Sequence, residues 1–209
     1  MRTSGLAGAL ACILLAAGAA AAQQEVWEID PAHSSVQFSV RHMMVSNVRG
    51  EFSKLSGKVV ADGKGLERIR VEATIDAATI DTRNEGRDKH LRSEDFFDVA
   101  RYPTIEFRST RVEPASDGTF RLIGDLTMHG VTREIILDGT GPSAEIKDQR
   151  GVSHVGASAT ARINRKDFNL LWNRALDGGG VVVGDEVSIV IDVELVKRPQ
   201  SAAPGKGMR

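Results

Sequence analysis

Five histidines, His33, His42, His90, His129 and His154, are the side chains of this 209-residue sequence best suited to proton transfer or metal binding at neutral pH. None stands at an HxH or HxxxH spacing. A zinc site needs three or four converging ligands, so the spacing predicts no metal centre. His33 and His42 are set to lie at opposite ends of one strand, with His42 turned inward by parity. The expectation for each histidine is that it satisfies backbone groups at turns or barrel ends. Asp81, Glu94 and Asp95 lie in a charged, solvated stretch that does not build a general acid. No GxSxG elbow carries a serine nucleophile. Gly178-Gly179-Gly180 lacks the Lys-Ser/Thr of a phosphate loop. No catalytic residue and no cofactor are therefore predicted. Arg41, Arg83, Arg87 and Arg165 could take an anionic head group at a cavity mouth, although a surface ion pair is the simpler role for each.

The elements that would position such groups are strands. Val36, Phe38 and Val40 alternate with Gln37, Ser39 and Arg41, the period of a half-buried strand. Trp27–Asp30, Val48–Phe52 with a bend at Gly50, Leu55–Ala61, Leu66–Asp76, the rows of Ile105/Phe107 and Phe120/Leu122/Leu126, and Val131–Asp138 continue the rhythm. Asp62–Gly65, Pro114–Gly118 and Met128–Gly130 read as turns, and Gly139–Gly151 as a polar loop. In Ser153–Asn164, Val155, Ala157, Ala159, Ala161 and Ile163 share the inward face. A row of alanines there means either a cavity or close packing under a helix. Lys166–Trp172 reads as a helical turn. Val187, Ile189, Ile191, Val193 and Leu195 form the last inward row. About eight substantial strands with short connections predict an all-β fold, an eight-stranded antiparallel up-and-down barrel; a two-sheet sandwich is the alternative.

One stretch interrupts the strands. Ile80–Asp98 carries Glu85–Lys89 and Asp88–Arg92, acid-before-base pairs four apart in the order that favours a helix. It ends in Phe96-Phe97. The reading is a short helix with a solvated face, packed on the sheet through Leu91, Phe96 and Phe97. It serves either as a crossover or as a cap that screens one end of a pore.

Residues 1–22 read as a cleavable signal peptide: Arg2, an uncharged Ala-rich run from Leu6 to Ala22, and a small-residue terminus Ala20-Ala21-Ala22. The run is marginal in length for a membrane anchor and poor in Leu and Ile. Cys12 is the only cysteine and lies in this segment, so residues 23–197, the expected domain, have no thiol chemistry. The formal net charge of −1 falls by one unit when Arg2 leaves, which gives no reason to expect nucleic acid. Residues 198–209 have the composition of a disordered tail.

Several motifs in order resemble the YceI-like family of polyisoprenoid-binding, lipocalin-like proteins. They are Asp30-Pro31-x-His33-Ser34, Val48-x-Gly50-x-Phe52, Ile80-Asp81-Thr82, Arg87-Asp88-x-His90-Leu91, Phe96-Phe97-Asp98, Tyr102-Pro103-x-Ile105-x-Phe107, Gly124-x-Leu126-Thr127-x-His129-Gly130-Val131-Thr132, Arg165-x-Asp167-Phe168 and Val183-Gly184-Asp185. The resemblance spans about Val26 to Val196. It implies a barrel with one helix, a homodimer, and a periplasmic protein that threads an isoprenoid lipid or quinone-like chain into an apolar pore, with transient inner-membrane contact. Lumen parity gives Phe38, Val40, Phe107, Leu122, Ala159 and Ile189 as candidate ligand-binding residues. The competing readings are a lipid- or amide-modifying enzyme using His42, His90 or His129, and a stress-linked structural protein with an incidental cavity.

Overall fold

A computed structural model describes residues 24–63 and 65–197; the expected signal peptide and tail lie outside them. Strands follow in the order β1 (Glu25–Ile29), β2 (Ser35–His42), β3 (Ser46–Phe52), β4 (Leu55–Ala61), β5 (Arg70–Asp76) and β6 (Ile80–Asp81). Helix α1 (Glu85–Arg92) comes next. Then follow β7 (Thr104–Pro114), β8 (Thr119–Met128), β9 (Val131–Thr140), β10 (Ile146–Lys147), β11 (Ser153–Asn164) and β12 (Val183–Lys197). Every pairing is antiparallel, and β11 and β12 close the sheet on itself.

The eight walls of the barrel come from fewer, longer chain segments than the element count suggests. β1 runs into β2 through a kink at residues 30–34, and both pair with the same edge of β12. Opposite them β3 and β4 form a second bent strand, and β5 with β6 a third. With β7, β8, β9, β11 and β12 these make the closed eight-stranded antiparallel barrel. The sandwich alternative is thereby excluded, because a barrel leaves no second sheet to pack against.

Strand ends follow local chemistry. His129 (φ 51°) and Gly130 (φ 74°) turn β8 into β9 with the left-handed pair that suits a tight hairpin. A side chain at Gly130 would strike the Tyr102 ring at 2.6 Å. The strand expected from Leu66 begins later, at Arg70. Leu66–Arg68 is a 3-10 turn instead, and Leu66 and Ile69 are only half-buried. The helical turn expected at Lys166–Trp172 is shorter and earlier, at Arg165–Phe168, where Asn164 caps it through the Lys166 N–H. The loop at Gly139–Gly151 is interrupted by β10, which pairs with β11.

One end of the barrel carries α1, the Arg165–Phe168 turn and the segment that follows it, beside the tight His129–Gly130 hairpin. At the other end lie the turns at 62–69 and 115–118 and the loop 141–152. The largest fully buried side chains are Phe168, Ile80 and Ile123. Phe168 and Ile80 belong to the helix end.

Candidate functional site

An apolar cavity of about 300 Å³ runs along the barrel axis. At the helix end it is bounded by Leu91, Phe96, Phe97 and Leu170, and at the loop end by Leu66, Ile69, Phe120 and Pro142. Its polar lining residues are Gln37, Ser158 and Arg165. Phe38, Val40, Phe107, Leu122, Ala159 and Ile189, the residues picked out by parity, all line it. Period-2 alternation places them there once the strands pair, because successive side chains take opposite faces. Ala157 and Ala159 leave lumen space, whereas Ala161 is buried in the core beside Phe168. The alanine row therefore does both things a row of methyls can do. His42, expected to point inward, is not among the lining residues.

The helix closes its end of the pore. Phe97 meets Phe52 edge-on at 5.8 Å, and Phe52 contacts Phe38 at 5.8 Å, so one aromatic row runs from the cap into the lumen. Gly50 makes room for this row: a Cβ there would lie 2.5 Å from Phe38. The expected ion pairs Glu85–Lys89 and Asp88–Arg92 are not among those formed by the described residues. Asp88 is buried and accepts hydrogen bonds from the N–H and hydroxyl of Thr82. Arg92 donates to the carbonyls of Ala78 (2.7 Å) and Ile80 (2.6 Å). Arg87 donates to the Thr82 hydroxyl and carbonyl. These side chains satisfy backbone groups beside β6 that burial would otherwise leave unpaired, a stronger demand than an exposed ion pair. α1 is thus pinned to the barrel by its own polar face.

Arg165 performs the same service for the segment after β11. It is 3 % exposed, donates to the carbonyls of Gly184, Leu170 and Trp172, and pairs with Asp185 at 3.2 Å. Burial pulls its pKa down, against the opposing pull of Asp185. With its donors committed to the protein, Arg165 is a clamp rather than a receptor for a head group. Arg41 is committed likewise to Asn47 and the Met44 carbonyl.

The loop end of the cavity is the more exposed of the two. Leu66, Ile69 and Phe120 line the cavity yet remain half-buried, and Pro142 is exposed. A second, mixed depression of about 840 Å³ lies on the outer wall, where β9 and β11 pair over only three residues, and it shares Ile135, Ile163 and Ile189 with the lumen.

A model of the YceI-like domain matches residues 27–195. The chain belongs to the YceI-like family. Among its relatives is a UPF0312 protein of Staphylococcus aureus (strain MSSA476), 34 % identical over 165 residues, spanning 79 % of this chain and 94 % of the relative. The Campylobacter jejuni YCEI protein is 28 % identical, with a TM-score of 0.64 over 76 % of this chain and 90 % of its own. Two more distant structures share the fold. Burkholderia cenocepacia BcnA has a TM-score of 0.67 at 24 % identity, covering 79 % of this chain and 98 % of its own. A polyisoprenoid binding domain from Saccharophagus degradans has a TM-score of 0.59 at 17 % identity, covering 82 % and 98 %.

The histidines of this YceI-like protein do not open onto its lumen. His129 Nδ1 lies 3.3 Å from the Phe168 carbonyl, with its ring against Tyr102. His90 stands between Phe96 and Trp172 and pairs with Asp95 at 2.8 Å. None of the five lines the cavity. The expectation that they serve only backbone groups holds for His129 and fails for three others. His33 pairs with Asp30, His90 with Asp95 and His154 with Glu194. The last of these joins residues 40 apart in sequence, which no spacing rule reaches because the β11–β12 register creates it.

Proposed function

We propose that this YceI-like protein is a periplasmic binding protein. It holds a long-chain isoprenoid lipid, such as a polyprenyl phosphate or quinone-like molecule, or a related amphiphile in its lumen, for transport, storage or stress protection. The observation that carries the reading is the lumen itself, an axial cavity walled by hydrocarbon side chains and closed by an aromatic cap. Burial contributes about 0.8 kcal/mol per methylene. Ten methylenes then give about 8 kcal/mol, the equivalent of a micromolar dissociation constant before ordering costs. Binding of this kind needs no catalytic group. The relative from S. degradans is described as a polyisoprenoid binding domain, which favours an isoprenoid over other chains.

Phe38, Val40, Phe107, Leu122, Ala159 and Ile189 are the proposed contacts. The polar head is placed at the loop end, where the rim also carries exposed Ile146 and Lys147, a suitable surface for transient inner-membrane contact. A homodimer and export by residues 1–22 complete the proposal. The deciding experiment is organic extraction of the mature protein purified from its native host, followed by mass spectrometry. An isoprenoid chain in stoichiometric amount is expected. Repeated absence of any lipid, with no uptake of added polyprenyl phosphate or quinone, would leave the cavity incidental. Fusion of residues 1–22 to a reporter active only after export tests the localisation, and sedimentation analysis tests the dimer.

A further inference from the structure

Outside the lumen, near the loop end, four metal-ligating side chains from three walls converge. Asp30 and His33 belong to the kink between β1 and β2, His154 to β11 and Glu194 to β12. Asp30 Oδ2 lies 2.9 Å from His33 Nδ1, and His33 Nδ1 lies 3.9 Å from Glu194 Oε1. Glu194 Oε1 in turn lies 2.7 Å from His154 Nδ1. Ligand atoms of Asp30, His33 and Glu194 all fall within 4.8 Å of one another. In a tetrahedral zinc site, bonds of about 2.0–2.1 Å set neighbouring donors about 3.3 Å apart. The contacts at 2.7, 2.9 and 3.9 Å lie on both sides of that value; Asp30, His33 and Glu194 already form a compact trio, and His154, which reaches it through Glu194, moves inward to complete the shell.

His154 supplies an independent reason for a cation. Its 2.7 Å contact with Glu194 requires a proton on Nδ1. In the neutral ring that leaves Nε2 as a lone pair. Nε2 is buried with no hydrogen-bond partner, and it lies 3.7 Å from Asp148 Oδ2. A buried lone pair facing a carboxylate is both unsatisfied and repelled. With a metal ion on Nδ1 the proton moves to Nε2, where Asp148 stands ready to accept it. That is the carboxylate–histidine–metal arrangement that fixes a ligand's tautomer. A doubly protonated ring also answers both contacts, and the experiment below separates proton from metal.

We propose that Asp30, His33, His154 and Glu194 form a site for a divalent transition-metal ion of the zinc type, with Asp148 orienting His154. The surroundings suit the role. Asp30 Oδ1 is held by the Ala32 N–H at 2.9 Å, which leaves Oδ2 for the ion. The Glu194 backbone is pinned by the Ser34 hydroxyl at 3.0 Å. Two imidazoles and two carboxylates favour Zn²⁺ or Cu²⁺ over Ca²⁺ and Mg²⁺, which prefer oxygen ligands alone. The ion would staple the β1–β2 kink to β11 and β12 and draw Asp148, in the rim loop, onto the barrel. The site does not depend on what the lumen holds.

The test is calorimetric titration of ZnCl₂ into the untagged mature protein near neutral pH, with melting curves in zinc and in EDTA. One equivalent is expected, with a rise in Tm that EDTA reverses and Mg²⁺ does not reproduce. His33→Ala and Glu194→Gln should each weaken binding at least about tenfold, and Asp148→Asn by roughly 10–100-fold. All three positions lie outside the lumen; Asp148 also accepts the Arg150 and Val152 N–H groups, so the melting curve of each metal-free variant is compared with wild type before titration. Affinity should fall in acid, as protons compete for the imidazoles. Absence of saturable binding at about 100 µM zinc overturns the proposal. So does binding unchanged in the His33→Ala/Glu194→Gln double variant, or a doubly protonated His154 ring whose imidazole NMR signals ignore zinc.

Discussion

The two ends of the barrel solve the same problem, the edge of an apolar pore, in opposite ways. At the helix end the pore is shut by side chains. Phe168, Ile80 and Leu170 are buried there, and Phe96 and Phe97 close the lumen. The backbone around them is held by Asp88, Arg87, Arg92 and Arg165, which spend their polar atoms on main-chain groups. At the loop end the wall residues Leu66, Ile69 and Phe120 are half-buried. Charge there is arranged as exposed pairs, such as Arg111–Glu113 and Arg121–Glu113. Exposed pairs contribute little, whereas buried, fully bonded polar groups hold one geometry. Stability is therefore expected to concentrate at the helix end, and exchange with the surroundings at the loop end.

That contrast can be broken most decisively at its strongest point. Phe168→Ala should cost about 3–5 kcal/mol, read from denaturant unfolding, because the side chain is 1 % exposed and would leave a cavity. Phe97→Ala should cost less than Phe168→Ala, since Phe97 is only half-buried, and should also loosen lipid retention. A Phe97→Ala protein unchanged in both would reduce α1 to a connector.

Arg165→Met should follow, at about 2–3 kcal/mol, since it leaves the carbonyls of Leu170 and Trp172 without their donor. A loss below about 0.5 kcal/mol would mean that water or the backbone replaces the clamp.

At the loop end the expected balance reverses. Leu66→Glu should change stability by no more than about 1 kcal/mol, yet sharply reduce the lipid recovered by extraction, because it sets a charge in the apolar mouth. Equal lipid recovery would move the mouth elsewhere.

The smallest effect concerns Asp30 and His33. The carboxylate holds the His33 imidazolium above its ordinary value of 6.5, and His33 holds Asp30 below its ordinary value of 3.8. The His33 contribution is complete below pH 6.5 and disappears as pH rises through the raised value. The Asp30 contribution is complete above pH 3.8 and disappears as pH falls through the lowered value. In metal-free buffer the Tm difference between wild type and His33→Ala should therefore be greatest between those limits and vanish in alkali. His33 is solvent-exposed and Asp30 half-buried, so solvent screening keeps the difference small. A difference that grows in alkali would contradict the pairing.

Much of the barrel was legible in the sequence because alternation is a local signal. Val187 to Leu195 and Val155 to Ile163 declare their inward faces without reference to any partner, and the six lumen residues follow from parity. Leu66 was misread because one apolar residue after a glycine turn fits a strand start as well as a 3-10 turn. Asp88 and Arg92 were misread for a different reason. Their spacing favours an ion pair in an isolated helix, but the packed helix brings them to Thr82, Ala78 and Ile80, whose buried backbone groups compete for the same atoms.

By itself, then, the sequence determined the strands, their inward faces, an apolar interior and the position of the single helix, since each depends on periodicity within one segment. The tertiary structure decided which end is shut, which arginines are clamps, and that His154 meets Glu194 beside Asp30 and His33. Those outcomes depend on the register between strands far apart in the chain, and no local pattern records it.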